Sequence, residues 1–139
     1  MAKVMRISDK IKIKIKDLEF LISPLSVEHK KNLANATTII KGKETYDLYG
    51  AQCIYLKHGL KDVKGIEYFD GEKFELQFDD DEKTTLTDDC VTELMGLECK
   101  SDLMQTAMQL LNGFTDQIYD GHTGEKMKSV EVEVVSSKK

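Results

Sequence analysis

Lys10-Ile11-Lys12-Ile13-Lys14-Ile15-Lys16-Asp17-Leu18-Glu19-Phe20-Leu21-Ile22 is the stretch that decides how this chain folds. Ile11, Ile13 and Ile15 alternate with lysines, and a period of two between β-branched and charged residues specifies a strand with one buried face. Asp17 falls at a turn, and Leu18 to Ile22 supplies a second strand. The result is an N-terminal hairpin that stops at Pro24, the chain's one proline. Lysines on the outer face fit an exposed or edge strand, where they discourage pairing with another chain.

Working outward from the hairpin, Ser26 is placed to cap a short polar helix from Val27, its hydroxyl accepting a free backbone N–H. That helix ends before the β-branched run Thr37-Thr38-Ile39-Ile40, and Lys41-Gly42-Lys43 is read as a loop. A central helix is expected from Glu44 to about Leu60, because Tyr46, Tyr49, Cys53, Leu56 and Leu60 recur at steps of three and four. Ile66 to Phe69 and Phe74 to Phe78 flank Asp70-Gly71, a turn dipeptide that predicts a second β-hairpin. Asp79-Asp80-Asp81-Glu82 reads as an acidic loop.

Thr87 caps the next helix, whose first turn carries Asp88 and Asp89 against the positive helix end. Ser101 is read as the cap of a last helix running past Gly113 to Ile118, with a bend or close packing expected at the glycine. Val130, Val132 and Val134 alternate with Glu131 and Glu133, a pattern that suits either a final strand or a tail that orders on binding. Ser136 to Lys139 is expected to be mobile. The fold class is therefore α+β: an N-terminal β-hairpin, a central helix, a second β-hairpin, and a helical C-terminal half with a mobile tail. One domain is expected over residues 1–126, with 127–139 set apart as a C-terminal tail.

Charge is split along the chain. Met1 to Lys64 holds thirteen Lys and Arg against seven Asp and Glu, and Gly65 to Lys126 holds four against sixteen, within a net charge of −5. A basic front and an acidic middle steer encounters between proteins. Nucleic acid is disfavoured as the main partner, since its binding calls for a basic domain. No run approaches the roughly 20 apolar residues of a membrane helix, so no membrane partner is expected. Met1 to Arg6 lacks the apolar core of a signal peptide, and the chain is expected to stay in the cytoplasm where it is made. Cys53, Cys90 and Cys99 form no CxxC pair and are expected as apolar free thiols.

Motifs for chemistry are weak. His122-Thr123-Gly124-Glu125-Lys126 matches the linker between tandem zinc fingers, but no CxxC or paired histidines accompany it. His29, His58 and His122 do not converge with the cysteines by spacing. A calcium loop opened by Asp79 would need glycine at its sixth position and glutamate at its twelfth; Thr84 and Cys90 stand there. Cys53 and His58 lie five apart on one helix and point about 140° apart, too far for a nucleophile–base pair. No phosphate-binding glycine loop, GxSxG or HExxH is present. The expectation is a protein that is not an enzyme and takes no cofactor or metal. Met104 and Met108, four apart beside Leu111 and Phe114, read either as core filling or as an adaptable partner-binding face.

The chain resembles the phage tail assembly chaperones of long-tailed phages. The resemblance runs from about Ile11 to Ile118 and is carried by three segments. They are Ile13 to Ser26, the tyrosine-rich central helix with Leu60-Lys61-Asp62-Val63-Lys64-Gly65-Ile66, and Asp70 to Leu76 leading into Leu86 to Leu94. It lies in layout, size and charge more than in diagnostic residues. It implies a late, non-catalytic protein of the host cytoplasm that binds the tape-measure protein, keeps its apolar segments from aggregating, and helps recruit tail tube subunits. The partner-binding residues would then be Met104, Met108, Leu111 and Phe114. Such proteins are often made in two lengths by a programmed frameshift, and Lys138-Lys139 is compatible with A-rich slippery codons. The alternative is a permanent structural or adaptor subunit of a tail or head-to-tail joint. In that reading the Lys-bearing strand edge or Val130–Val134 adds a strand to a neighbour, and the charge split drives homo-oligomers head to tail.

Overall fold

Ile13 and Ile15 are sealed inside the protein, at the heart of its core. In the computed structural model, which describes residues 1–111 and 113–138, they lie on β1 (Lys10–Ile15). β1 pairs antiparallel with β2 (Leu18–Ile22), Ile15 opposite Leu18 and Ile11 opposite Ile22. Asn112, within the span expected as the last helix, and Lys139, the last residue of the expected tail, lie outside the described residues.

The chain is α+β, as expected. After β2 come α1 (Val27–Ala34), β3 (Thr37–Ile40), β4 (Lys43–Tyr46), α2 (Leu48–Gly59) and β5 (Leu60–Lys64). They are followed by α3 (Asp88–Leu94), α4 (Lys100–Gln109) and β6 (Val130–Val135). One sheet has the order β5-β2-β1-β6, every neighbour antiparallel; β3 and β4 form a separate hairpin. Helices, the irregular 66–86 segment and the chain returning after α4 cover the isoleucine face, contributing Tyr55, Leu56, Phe74, Leu86, Leu94, Leu103 and Ile118 to one core.

Several expectations need correcting. β1 is a central strand, because β6 pairs along its other side from Lys10↔Val135 to Ile15↔Val130. Of the two roles open to Val130–Val134 it takes the strand, so Val130–Val135, within the segment set apart as a tail, completes the sheet. Its charges explain the register: Glu133 stands opposite Lys12, with a 3.3 Å ion pair between them, and Glu131 stands opposite Lys14. Ser137, expected to be mobile, donates its backbone N–H to Asp9 Oδ1 at 2.9 Å. The Asp9 side chain is buried and also accepts from the Arg6 N–H at 2.8 Å, so it clasps both ends of the described chain. These hydrogen bonds, the one from Ser137 foremost, hold its carboxyl below the usual range.

The central helix starts at Leu48, capped by Asp47 accepting from the Gly50 N–H, rather than at Glu44. The residues before it form β4, joined to β3 by Lys41-Gly42, both at positive φ. That two-residue turn has the twist a hairpin needs. The hairpin expected around Asp70-Gly71 keeps its turn but only one bridge, Glu67↔Lys73. Further along, the backbone turns to the following chain instead: Asp79 donates to the Thr85 carbonyl, and Thr87 to the Gln77 carbonyl. Ser26 and Thr87 cap α1 and α3 as expected. α4 begins after Cys99, with no side-chain cap from Ser101, and ends at Gln109 instead of reaching Ile118. The Gln109 amide then reaches the returning chain, donating to the Tyr119 carbonyl at 2.7 Å and accepting its N–H at 3.0 Å.

Candidate functional site

The chain before β1 and the bend after α4 together build the main apolar concavity. At the front, Asp9 fixes a turn with Arg6, holding Val4, Met5 and Ile7 beside the open end of the sheet. At the back, α4 unwinds through tight turns at Leu110 and Leu111 and passes Gly113 at φ +139°. That bend brings Leu110, Leu111 and Phe114 to the opposite wall. The floor is the end of the sheet, Ile11, Ile22 and Val134, with Leu25 and Tyr55 behind it. The groove encloses about 870 Å³.

Its chemistry is apolar inside and basic at the rim. Val4 and Ile7 are almost fully exposed, and Phe114 is 42% exposed. Lys3, Arg6 and Lys30 stand around the opening, and no carboxylate lines it among the described residues. Burial pushes the Tyr55 phenol up, so it stays protonated at the back wall.

The four residues expected to bind a partner do not act as one face. Met104 is 2% exposed and belongs to the core, which removes it from any partner surface. Met108 is half-buried against that core and does not line the groove. Leu111 and Phe114 do line it. Helical spacing grouped all four, but α4 ends before the last two, and only those two line the groove. The N-terminal contribution, Val4, Met5 and Ile7, was missed. The apolar Val4, Met5 and Ile7 set among Lys3, Arg6 and Ser8 were the available signal.

A second concavity of about 720 Å³ lies beside β5 and is lined by both charge signs, including Lys10, Lys61, Lys73, Asp62, Glu75 and Glu82. Lys61 already donates to the Thr84 carbonyl at 3.0 Å. Asp80, in the acidic loop, accepts from the Thr84 and Thr85 N–H groups at 3.0 and 3.2 Å. The Thr84 hydroxyl, followed by those backbone donors, holds its carboxyl low. This carboxylate closes its own loop. Asp120 likewise closes the 120–126 turn, accepting from the His122 N–H at 2.7 Å.

Among the described residues no three His, Cys, Asp or Glu side chains converge on a metal position. His29 of α1 and His58 of α2 stack at 3.8 Å between ring centroids, and burial, then the neighbouring His29, pushes His58 down. Burial raises all three cysteine thiols, which lowers their thiolate fraction and hence their nucleophilicity. No helix among the described residues is long and apolar enough to cross a membrane. No protein-family model, curated protein or solved structure matches the chain.

Proposed function

We propose that this protein is a non-catalytic phage tail assembly chaperone of the host cytoplasm. It holds an apolar helix of the tape-measure protein in the groove between Val4–Ile7 and Leu111–Phe114, and helps recruit tail tube subunits. The observation that carries the reading is the open apolar groove with its basic rim. An amphipathic helix lays its apolar face into such a groove, and acidic residues flanking that face meet Lys3, Arg6 and Lys30. The resemblance in layout and charge over Ile11–Ile118 supplies the biological setting, and the net charge of −5 favours a soluble loaded complex.

Co-expression with the proteins encoded beside it tests the reading. The wild-type chain is expected to keep a long helical protein soluble and to co-purify with it. Leu111→Glu with Phe114→Glu is expected to lose that capture while remaining folded. Equal capture by this double variant overturns the groove as the client site.

A second reading, a permanent tail or joint subunit, is favoured by the sheet edge. β6 is the outermost strand beside β1, so its outer backbone groups are available to a neighbouring strand. The Lys-bearing β1 cannot play that part, being paired on both sides. Detection of the chain in purified mature particles selects this reading; its presence only in lysate selects the chaperone.

A further inference from the structure

Phe69 is the most exposed aromatic side chain in the protein, at 98%, and it is held out on a rigid turn. The Gly71 N–H donates to the Tyr68 carbonyl at 2.9 Å, and the Tyr68 N–H to the Glu72 carbonyl at 2.7 Å. Asp70 accepts from the Glu72 N–H at 3.0 Å, and the Tyr68 hydroxyl donates to Glu93 Oε2 at 2.7 Å. Tyr68 also packs edge-on against Phe74, with 5.6 Å between ring centroids. The backbone that carries Phe69 is therefore already ordered before docking, which lowers the cost of seating the ring. Exposed Glu67, Asp70 and Glu72 flank it in the turn, and Lys73, bridged opposite Glu67, is already ion-paired with Glu75 at 3.6 Å.

The groove presents the opposite surface: apolar walls at Val4, Ile7, Leu111 and Phe114 behind a basic rim. It also lies at the opposite end of the sheet. The groove sits where β1 begins and where β2 and β6 end, at Ile11, Ile22 and Val134. β5 leaves the sheet at the other end, where Lys64 pairs with Glu19 and Gly65 stands against the Asp17 carbonyl, and the Phe69 turn follows directly.

We propose that the Phe69 turn of one copy docks in the basic-rimmed groove of a second copy, joining the protein head to tail. The inference takes the groove as a docking surface, as the chaperone reading does, and commits it to a different occupant: the free protein fills its own groove until a client displaces the turn. Knob and socket lie on different surfaces, so each copy keeps one of each unused after pairing. Such an interface extends into open chains or closes into rings. A single turn in a groove is a small interface, and affinity on the order of 10 to 100 μM is expected.

Sedimentation velocity on the full chain, over a concentration series reaching about 1 mM, tests this. The wild type is expected to grow in mass with concentration and to shrink back when salt is raised to about 1 M, where the screening length falls to about 3 Å. Phe69→Ser removes the knob and Phe114→Glu blocks the socket; each alone is expected to move the onset of self-association to concentrations about tenfold higher or more. Mixed, they retain one intact knob and one intact socket, and a heterodimer that grows no further is the expected result. Should Phe114→Glu misfold by circular dichroism, Arg6→Glu at the exposed rim takes its place.

A wild type that stays monomeric throughout overturns the proposal. So does Phe69→Ser assembling like the wild type, or a mixture that never pairs. Client capture separates this inference from the chaperone reading. Normal capture by Phe69→Ser with a monomeric wild type sinks self-docking alone. Lost self-association with undiminished capture in Phe114→Glu sinks the client site alone.

Discussion

The β1–β2 hairpin and the 66–78 segment carry the same kind of sequence signal and reach different ends. Both alternate apolar and charged residues about a short turn. In the first, pairing runs unbroken from Ile11↔Ile22 to Ile15↔Leu18. In the second it reduces to the Glu67↔Lys73 bridge. The difference lies in what else is available. β1 and β2 each have another strand alongside, β6 and β5, so both are flanked by strands on either side. The chain after Phe74 has a better offer downstream, where Phe78 bridges Leu86 and the α3 cap follows. Alternation thus predicts which face is buried more securely than it predicts a pairing partner.

Substitutions can test that contrast, starting with the largest effect. Ile13→Ala empties a sealed position at the centre of the sheet and is expected to cost about 2–5 kcal/mol in urea denaturation. Gly71→Ala places a side chain at φ +92° in the 68–71 turn, with nothing within 4 Å to clash. Its backbone strain alone is expected to cost about 1 kcal/mol. Thr87→Ala removes the hydroxyl that accepts the Cys90 N–H at 3.1 Å and is expected to cost about 1 kcal/mol in the same assay. Cost well below this would mean that Phe78↔Leu86, not the cap, holds the downstream end. Phe69→Ala, at an exposed tip, is expected to stay within about 0.5 kcal/mol of the wild type.

The two regions also titrate at opposite ends of the pH scale. Asp9, beside β1, has a folded-state pKa below its ordinary 3.8, so the unfolded chain takes up the proton first. Its stabilisation is present above that value and is lost as pH falls through the folded pKa. Tyr68 is pushed up to about 12, chiefly by its hydrogen bond to Glu93. Its stabilisation is present below about 10, the ordinary value, and is lost as pH rises towards 12. Urea midpoints measured across pH are expected to show both limbs. Asp9→Asn should flatten the acid limb and Tyr68→Phe the alkaline one. A variant that leaves its limb unchanged removes that residue from the account.

The residues show why some of this was legible and some was not. Ser26 and Thr87 cap helices through local geometry, and local geometry is what a sequence displays. The β1–β2 hairpin was legible for the same reason. The partnership of β1 with β6 is not local, yet a trace of it is written in charge: Lys10 to Lys14 alternates as Glu131 and Glu133 do, and the two rows meet. β4 was read as helix because Glu44, Thr45 and Tyr46 fit either pattern, and Lys41-Gly42 lacks the asparagine or aspartate that marks such turns. Of the groove, only Leu111 and Phe114 were found. Their helical spacing suggested company with Met104, but tight turns and Gln109's grip on Tyr119 end the helix first.

The position of β6 sets a timetable for synthesis. β1 leaves the ribosome before the other strands of its sheet, and β6, which covers its open side, leaves after them. Until then a lysine-studded strand with an isoleucine face waits with one flank bare, and closure must span every helix and strand that lies between the two. Truncation just before Val130 should therefore arrest the nascent protein in a sticky, half-zipped state instead of merely shortening it.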